Sequence, residues 1–333
     1  MAVIGNNTAG RALPHIFFGS SESWTPSCTY QAYVYVIGGG GAGGAVGNAA
    51  SNSYPQAQGG AAGGCAISFL TLTSGVTYTI TVGAGGDYVS HSSGSNAGNN
   101  GGNSSISGSD ITTMTANGGD GGAVSTGAIS DNDGGTASGG NIANFAGGNG
   151  GAVANTNNFT SSGGSVGLWK TGNSADDATY VDGVGKRGAL LNYKQGVTPS
   201  PTTIGTYPTV RAHQTKGMAT IAPFPFIENA SPSGVGIGTT GFTSTYYGFF
   251  NPQHQAGSFA YPYLGRENTT RYAPSGSPFC GGASMTNSAG YAYGGTGALG
   301  GGGGSALGVS SNHYGYSGAG GDGGVIILPI AMG

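Results

Sequence analysis

Aromatic side chains are concentrated in one stretch of the sequence, and they are the groups best suited to bind a ligand. Twelve of them lie between Phe242 and Tyr293. Tyrosine is rigid, apolar on its faces and polar at its hydroxyl, which suits recognition loops. Arginines in the same stretch add hydrogen-bond donors for a sugar or lipopolysaccharide group. The candidate binding surface therefore consists of Tyr246, Tyr247, Phe249, Phe250, Tyr261, Tyr263, Arg266, Arg271 and Tyr272.

The same aromatic residues have a second interpretation, because a chain poor in Leu and Ile needs other side chains for its core. The two interpretations make different predictions for the replacement of Tyr246, Tyr247 and Tyr263 by serine. If these residues form a surface, binding weakens and the fold stays intact. If they form a local core, the fold is lost.

A pair of carboxylates in the middle of the chain, Glu228 and Glu267, would be needed for hydrolysis. Cleavage of a glycoside uses two carboxyl groups about 5–9.5 Å apart, and the sequence does not give that distance. The five histidines are scattered among polar residues, which favours surface positions over a catalytic base. We therefore expect a protein that is not an enzyme, with a polysaccharide depolymerase as the less favoured alternative.

A glycine motif of the dinucleotide-binding type, Gly-x-Gly-x-x-Gly, occurs at residues 38–43. In a nucleotide site a helix follows this motif, and an acidic residue lies about 20 residues further on. Here the following residues lack a helical period, and no Asp or Glu lies between Glu22 and Asp87. A chance match is expected in a segment so rich in glycine, and we expect no cofactor.

A recurrent unit, Gly-Gly-[Asp/Asn]-Gly-Gly, occurs at residues 118–122, 147–151 and 320–324 and resembles part of a calcium-binding repeat. The position of the ligand aspartate in such a repeat is taken by Ala152 in one copy and by Val325 in another. We therefore expect no metal site. The irregular spacing excludes a solenoid and suggests extended segments packed side by side.

Glycine accounts for 73 of 333 residues, several times the roughly 7% of ordinary domains. Charged residues make up only 6% of the chain, against roughly 25% in ordinary domains. Ordering glycine costs more backbone entropy than ordering any other residue, so dense backbone hydrogen bonds must compensate. Sheet ladders or packed polyproline-II-like segments can supply them, whereas collagen is excluded because there is no Gly-X-Y period. The net charge of −3 gives no basic footprint for nucleic acid.

Targeting segments and disulfides are not indicated by the sequence. No apolar run approaches the ~18 residues of a transmembrane helix, and the first twenty residues lack the pattern of a signal peptide. Cys28, Cys65 and Cys280 are widely spaced and odd in number, which favours free thiols over a disulfide framework.

Runs of β-branched and aromatic residues predict strands at residues 30–37, 65–73, 76–82 and 325–328. The turn residues Ser74-Gly75 between the second and third runs predict a hairpin, and the last run is expected to pair with residues 33–37. No helical period with caps is present. The predicted fold class is mostly β and irregular: a glycine-rich β-scaffold with packed extended segments of the polyglycine-II type and very little helix.

Several short elements occur together at the two ends of the chain: Trp24-Thr-Pro26, a strand that runs into glycines at residues 34–41, Tyr78-Thr-Ile-Thr-Val-Gly-Ala-Gly-Gly86 and a closing Gly-Gly-Asp-Gly-Gly-Val-Ile-Ile. In these elements, residues 16–86 and 315–330 resemble the glycine-rich domain of bacteriophage tail-fibre and adhesin-type virion proteins. The resemblance implies a virion-surface protein, assembled in the bacterial host cytoplasm, that mediates host receptor binding without catalysis. The alternative is a structural head fibre, capsid decoration or tail component.

The resemblance also implies partners, namely other virion proteins of the tail or capsid and a host cell-surface glycan or outer-membrane protein. A homo-oligomer is expected, with a trimer favoured. Four segments are predicted: 1–29, an N-terminal segment for virion attachment; 30–151, the first part of the glycine-rich β-domain; 152–279, an aromatic- and proline-rich insertion; and 280–333, the closing part of the β-domain.

Overall fold

The protein is described here by a computed structural model. It covers residues 15–47, 56–91, 94–153, 160–161, 163–168, 170–175, 271–273, 279, 281–282, 284–287, 290–309 and 313–330. All regular structure in these residues is β-strand, which confirms the predicted fold class. In the same residues no helix is long and apolar enough to cross a membrane.

The strands are numbered in chain order. They are β1 Ile16–Phe18, β2 Glu22–Trp24, β3 Tyr30–Ile37, β4 Ala45–Gly47, β5 Gln56–Ala57, β6 Cys65–Leu72, β7 Tyr78–Thr81, β8 Ser90–His91, β9 Gly94–Asn96, β10 Ser104–Gly108, β11 Ile111–Ala116, β12 Val124–Ser125, β13 Ala137–Ser138, β14 Ala143–Phe145, β15 Arg271–Tyr272, β16 Met285–Asn287, β17 Ala292–Tyr293, β18 Ala306–Gly308, β19 Gly315–Tyr316 and β20 Gly324–Pro329.

Two antiparallel five-stranded sheets pack face to face as a sandwich. The first sheet has the order β1-β20-β3-β6-β14, and the second has the order β13-β11-β10-β7-β2. Alternation along β7 places Tyr78 and Ile80 inside and the threonines outside, as the sequence pattern predicts. The buried side chains between the sheets are Phe18, Tyr30, Ala32, Val34, Val36, Ala66, Leu72, Tyr78, Ile80, Ile106, Met114, Ala116, Val325 and Ile327.

The predicted pairing of the last strand with the first long strand is confirmed. β20 runs antiparallel to β3, with Val325 opposite Val36 and Ile327 opposite Val34. Because the register places these four side chains on one face, they point together into the sandwich core.

The predicted hairpin between the second and third runs is wrong. Strand β6 pairs with β3 in the first sheet, whereas β7 pairs with β10 and β2 in the second. The turn is present at Gly75, which has a φ of 80°, but Ser74 is held by Thr29 and Ser27. The chain therefore crosses from one sheet to the other, so that both strands face the same core from opposite sides.

The opposite face of the first sheet carries a second cluster, which includes Tyr35, Ile37 and Ile326. It is covered by Val166, Leu168 and Phe279 among others, which are themselves buried. These three covering residues fall within the predicted insertion, so parts of that segment pack into the fold. The boundaries of the four segments stay a prediction.

Beyond the sandwich, the glycine-rich segments run side by side as a bundle. Residues 38–44 lie at its centre and continue directly from β3. Their first, fourth and seventh amides donate to residues 58–64, the second and fifth to residues 98–102, and the third and sixth to residues 317–323, at N···O distances of 2.8–3.1 Å. This repeat of three is that of a polyglycine-II helix, which has three residues per turn and no internal hydrogen bonds.

Close packing of the segments explains why the bundle needs glycine. A Cβ atom on Gly40 would collide with the carbonyl oxygen of Gly301, and one on Gly302 would collide with that of Gly60. The colliding atoms belong to backbone that is itself hydrogen-bonded, so it has little room to move away. The same geometry recurs along most segments, including all three copies of the recurrent unit.

Asn and Asp side chains complete the hydrogen bonding at the rim of the bundle, where an outward amide has no neighbouring segment. The side chains in the middle of two copies of the recurrent unit act in this way: Asp322 accepts from the amide of Gly85 at 2.8 Å, and Asn149 accepts from that of Gly134 at 3.1 Å. Buried or half-buried amides left unpaired would destabilise the fold. The acidic and amide residues of this unit therefore have a structural role.

We predict that Gly40→Ala lowers the free energy of unfolding by at least ~2 kcal/mol, because the new methyl group overpacks a rigid backbone contact. Gly127→Ala is the matched control: its Cβ would meet only Ser125 Oγ, at 3.9 Å. The control should change the free energy of unfolding by less than ~0.5 kcal/mol. Urea titrations of the two variants test this, and equal losses would show that the close packing at Gly40 does not matter.

Two buried tyrosines predict a loss of stability at alkaline pH. Burial raises the pKa of Tyr30 to about 12, and burial also raises the pKa of Tyr35 to about 12, from an ordinary value of 10.0. Because the folded pKa lies above the unfolded one, this stabilisation is complete below the unfolded value. It is lost as the pH rises from about 10 through about 12. Urea titrations across this range should show a falling free energy of unfolding.

The Tyr30 hydroxyl is buried and has no hydrogen-bond partner among the residues that the structure describes. Tyr30→Phe should therefore leave stability at neutral pH unchanged or raise it by ~1 kcal/mol, and it should reduce the alkaline loss. Tyr88→Phe is the control, because Tyr88 is 61% exposed. A loss of more than ~1 kcal/mol at neutral pH in Tyr30→Phe would contradict the unpaired state of this hydroxyl.

Candidate recognition surface

The distal end of the bundle, which is the end away from the sandwich, is built from two small sheets. One has the order β15-β17-β19-β8 and the other the order β16-β18-β4-β9. Strands β4 and β18 continue directly from glycine segments that run in the same direction, and they pair in parallel. The bundle therefore dictates the direction of the strands at this end.

Strands β17 and β19 alternate small and aromatic residues. Ala292 and Gly315 lie opposite each other in the parallel register and are buried. A Cβ on Gly315 would collide with the carbonyl oxygen of Val46 in the neighbouring sheet. Ala292 packs in a small cluster with Met285 and Ala306 of that sheet. Because side chains alternate along a strand, the residues on either side of Ala292 and Gly315 face away from it.

Those outward residues are four tyrosines, here called the tyrosine array: Tyr291, Tyr293, Tyr314 and Tyr316. Tyr293 and Tyr316 are stacked, with ring centroids 4.6 Å apart and an interplanar angle of 6°. Tyr291 and Tyr314 are 5.1 Å apart. Tyr314 and Tyr316, one from each pair, have ring centroids 6.2 Å apart. The rings thus form a compact two-by-two block.

The tyrosine array is open to solvent in part. Tyr291 is 37% exposed, and the other three tyrosines are half-buried. Apart from tyrosines, the four strands of this sheet contain only Arg271 and His91 as ionisable residues. The array therefore offers aromatic edges and phenol hydroxyls on described strands that contain few charged residues, which suits contact with neutral polar groups.

The sequence-predicted candidate residues lie next to this array or outside the described residues. Strand β15 brings Tyr272 into register with Tyr293, and Arg271 into register with Ala292. Only the backbone of β15 is described. Outside the described residues lie Tyr246, Tyr247, Phe249, Phe250, Tyr261, Tyr263 and Arg266.

The two described residues on either side of residues 176–270 lie in different places: Ala175 in the bundle and Arg271 at its distal end. Residues 172–175 run parallel to residues 146–149, away from the sandwich, and Ala175 donates to Asn149. The described chain resumes in β15 at the distal end. Of the sequence-predicted candidate residues, Arg271 and Tyr272 therefore lie beside β17, which contains one tyrosine of the array.

Tyr314 and Tyr316 were missed by reasoning from the aromatic stretch alone, because they lie beyond its end. The signal that would have found them is a repeated pattern, Tyr-Ala-Tyr-Gly at residues 291–294 and Tyr-Gly-Tyr at residues 314–316. Each copy has a small residue between two tyrosines and leads into a glycine-rich segment. That pattern is typical of a strand with one tightly packed face.

The other motifs of the sequence analysis do not form a site in the described part of the chain. The glycine motif at residues 38–43 is followed by strand β4, and its amides are taken by neighbouring segments. No group of His, Cys, Asp or Glu that could hold a metal ion occurs among the described residues. Glu228 and Glu267, the candidate catalytic pair, lie outside them.

Comparison with known families adds one result. A family model described as a glycine-rich domain matches residues 19–328. No curated protein is similar enough in sequence to be recognised as a relative. The matched residues include the glycine bundle, the tyrosine array and both sheets of the sandwich except β1 and the last residue of β20. The chain therefore belongs to the glycine-rich domain family.

Proposed function

We propose that this protein is a receptor-binding protein of the bacteriophage tail-fibre or adhesin type, which acts at the virion surface without catalysis. Its distal end, with the tyrosine array, would contact a host cell-surface glycan. The observation that carries this proposal is the array itself, a partly exposed and nearly uncharged aromatic block at one end of a rigid bundle. The virion part of the proposal is supported by the sequence resemblance.

The rigidity of the bundle supports a role in presenting the tyrosine array to a receptor. Each bundle segment is hydrogen-bonded to several neighbours, so the array is held on a base with little internal freedom. A surface that is ordered before binding loses less conformational entropy on binding. Tyrosine adds contact area at low entropic cost because it has few rotatable bonds.

The chemistry of the array favours a neutral sugar over a charged ligand. Phenol hydroxyls donate and accept hydrogen bonds, and aromatic rings pack against the apolar faces of sugar rings. A strongly anionic ligand would need a cluster of Arg or Lys, and the described strands of this sheet carry only Arg271. An outer-membrane protein is the alternative receptor, and a structural head fibre, capsid decoration or tail component is the alternative role.

We predict that Tyr291→Ser and Tyr316→Ser each weaken binding to immobilised polysaccharide from the host surface by roughly tenfold, which corresponds to about 1.4 kcal/mol. Tyr291→Phe keeps the ring and loses only the hydroxyl, so its loss should be smaller. The measurement is surface plasmon resonance with purified protein, supported by competition with phage adsorption to host cells. Ile142→Ser is the control, because Ile142 lies at the sandwich end and is 52% exposed.

Two results would contradict this proposal. Wild-type protein that neither binds host polysaccharide nor competes with adsorption would favour the structural role. Binding that is equal in the wild type and in Tyr316→Ser would place recognition outside the array. In that case the triple replacement of Tyr246, Tyr247 and Tyr263 by serine, in the same assay, tests the surface interpretation of the aromatic stretch.

A further inference from the structure

The first sheet has a second apolar area, at the end of the molecule opposite the tyrosine array. Near the bundle, this sheet face is covered by Val166, Leu168 and Phe279. Further from the bundle, large apolar side chains on this face are exposed among the described residues. Phe17 is 56% exposed and Tyr33 is 40% exposed.

Register places these side chains on one face. Tyr33 lies opposite both Leu328 and Phe69, and the rings of Tyr33 and Phe69 are 5.1 Å apart. Phe17 lies opposite Ile326 on the same face of the sheet. Ile330, which is 39% exposed, follows Leu328 at the spacing of two that keeps side chains on one side. We call Phe17, Tyr33, Phe69 and Ile330 the apolar face.

The whole first sheet lacks charge. None of its five strands contains Asp, Glu, Lys, Arg or His. Beside the apolar face, Gln31 and Thr71 lie opposite each other and are exposed. An apolar centre with a neutral polar rim is the arrangement that protein interfaces show.

We propose that copies of this chain associate with one another through the apolar face. Its half-exposed side chains leave on the order of 300–400 Å² of apolar surface open. That is about half of the ~800 Å² that each partner contributes to a standard interface, and the polar rim would contribute to the rest.

A second copy fits this face better than a different protein. Recognition between unlike proteins uses complementary charge to select the partner, and the five described strands of this sheet contain no charged residue. A symmetric contact brings the same patch of each copy together, so a charged face would repel itself while a neutral one would not. Association at this end would also leave the tyrosine array of every copy free, and several arrays on one particle would raise the effective concentration for binding.

The first test is the mass of the full-length protein by sedimentation equilibrium up to roughly 100 µM. We expect the wild type to form an oligomer. The double variant Tyr33→Ser, Phe69→Ser should associate at least tenfold more weakly while keeping its β circular dichroism. Tyr291→Ser at the opposite end is the matched control and should keep the wild-type mass. A monomeric wild type would overturn the proposal, as would an oligomer that the double variant leaves unchanged.

A second test does not depend on the stability of the double variant. Gln31→Cys introduces a thiol at the exposed rim. The background carries Cys28→Ser, because Cys28 is also exposed, and Cys280→Ser, because Cys280 lies outside the described residues. A short bis-maleimide should join two copies through Cys substituted at position 31 in the folded protein. The same thiol placed at Ile142, which is off the apolar face, should give at least tenfold less cross-linked product. Equal cross-linking at the two positions would contradict the proposed interface.

Discussion

Hydrogen bonds between glycine segments are the interaction on which the rest of this structure depends. A polyglycine-II helix makes no hydrogen bonds within itself, so each segment relies on its neighbours. The amides of residues 38–44 point in three directions and reach three other segments. This arrangement requires backbones so close that a Cβ atom would not fit. Composition and architecture are thus two aspects of the same constraint, because glycine permits the contacts and the contacts offset its entropy.

The bundle also determines what its two ends can be. At one end its segments continue into the long strands of the sandwich, whose core is the largest cluster of buried apolar side chains among the described residues. At the other end, parallel segments continue into short parallel strands. In-register pairing there aligns Tyr293 with Tyr316 and places Ala292 beside Gly315. The tyrosine array therefore follows from the direction and register of the glycine segments behind it.

Local patterns predicted the strands well, and long-range relations escaped them. The run of residues 30–37 matches β3, and the partner expected for the last strand is the one observed. The hairpin failed because Ser74 and Gly75 give a turn but not the sheet that follows it. The partners of β7 are β10 and β2, and Ser74 itself bonds to Thr29 and Ser27, all of them far away in sequence.

The candidate site was predicted only in part for a related reason. The sequence predicted packed glycine segments but not which segment lies beside which, because nearly identical segments give no sequence signal for pairing. Tyr291 and Tyr293 lay within the aromatic stretch, whereas Tyr314 and Tyr316 join them only through the parallel register of β17 and β19. A search for residues close in sequence does not find a site assembled in this way.

Native-state amide hydrogen exchange of residues 38–44, followed by NMR, measures the central interaction most directly. Outside the sheets, these amides would be expected to exchange fast unless the neighbouring segments hold them. We expect them to be protected about as strongly as the amides of β3, the central strand of the first sheet. Fast exchange at residues 38–44 alongside slow exchange in β3 would contradict the claim that hydrogen bonds between glycine segments hold the molecule together.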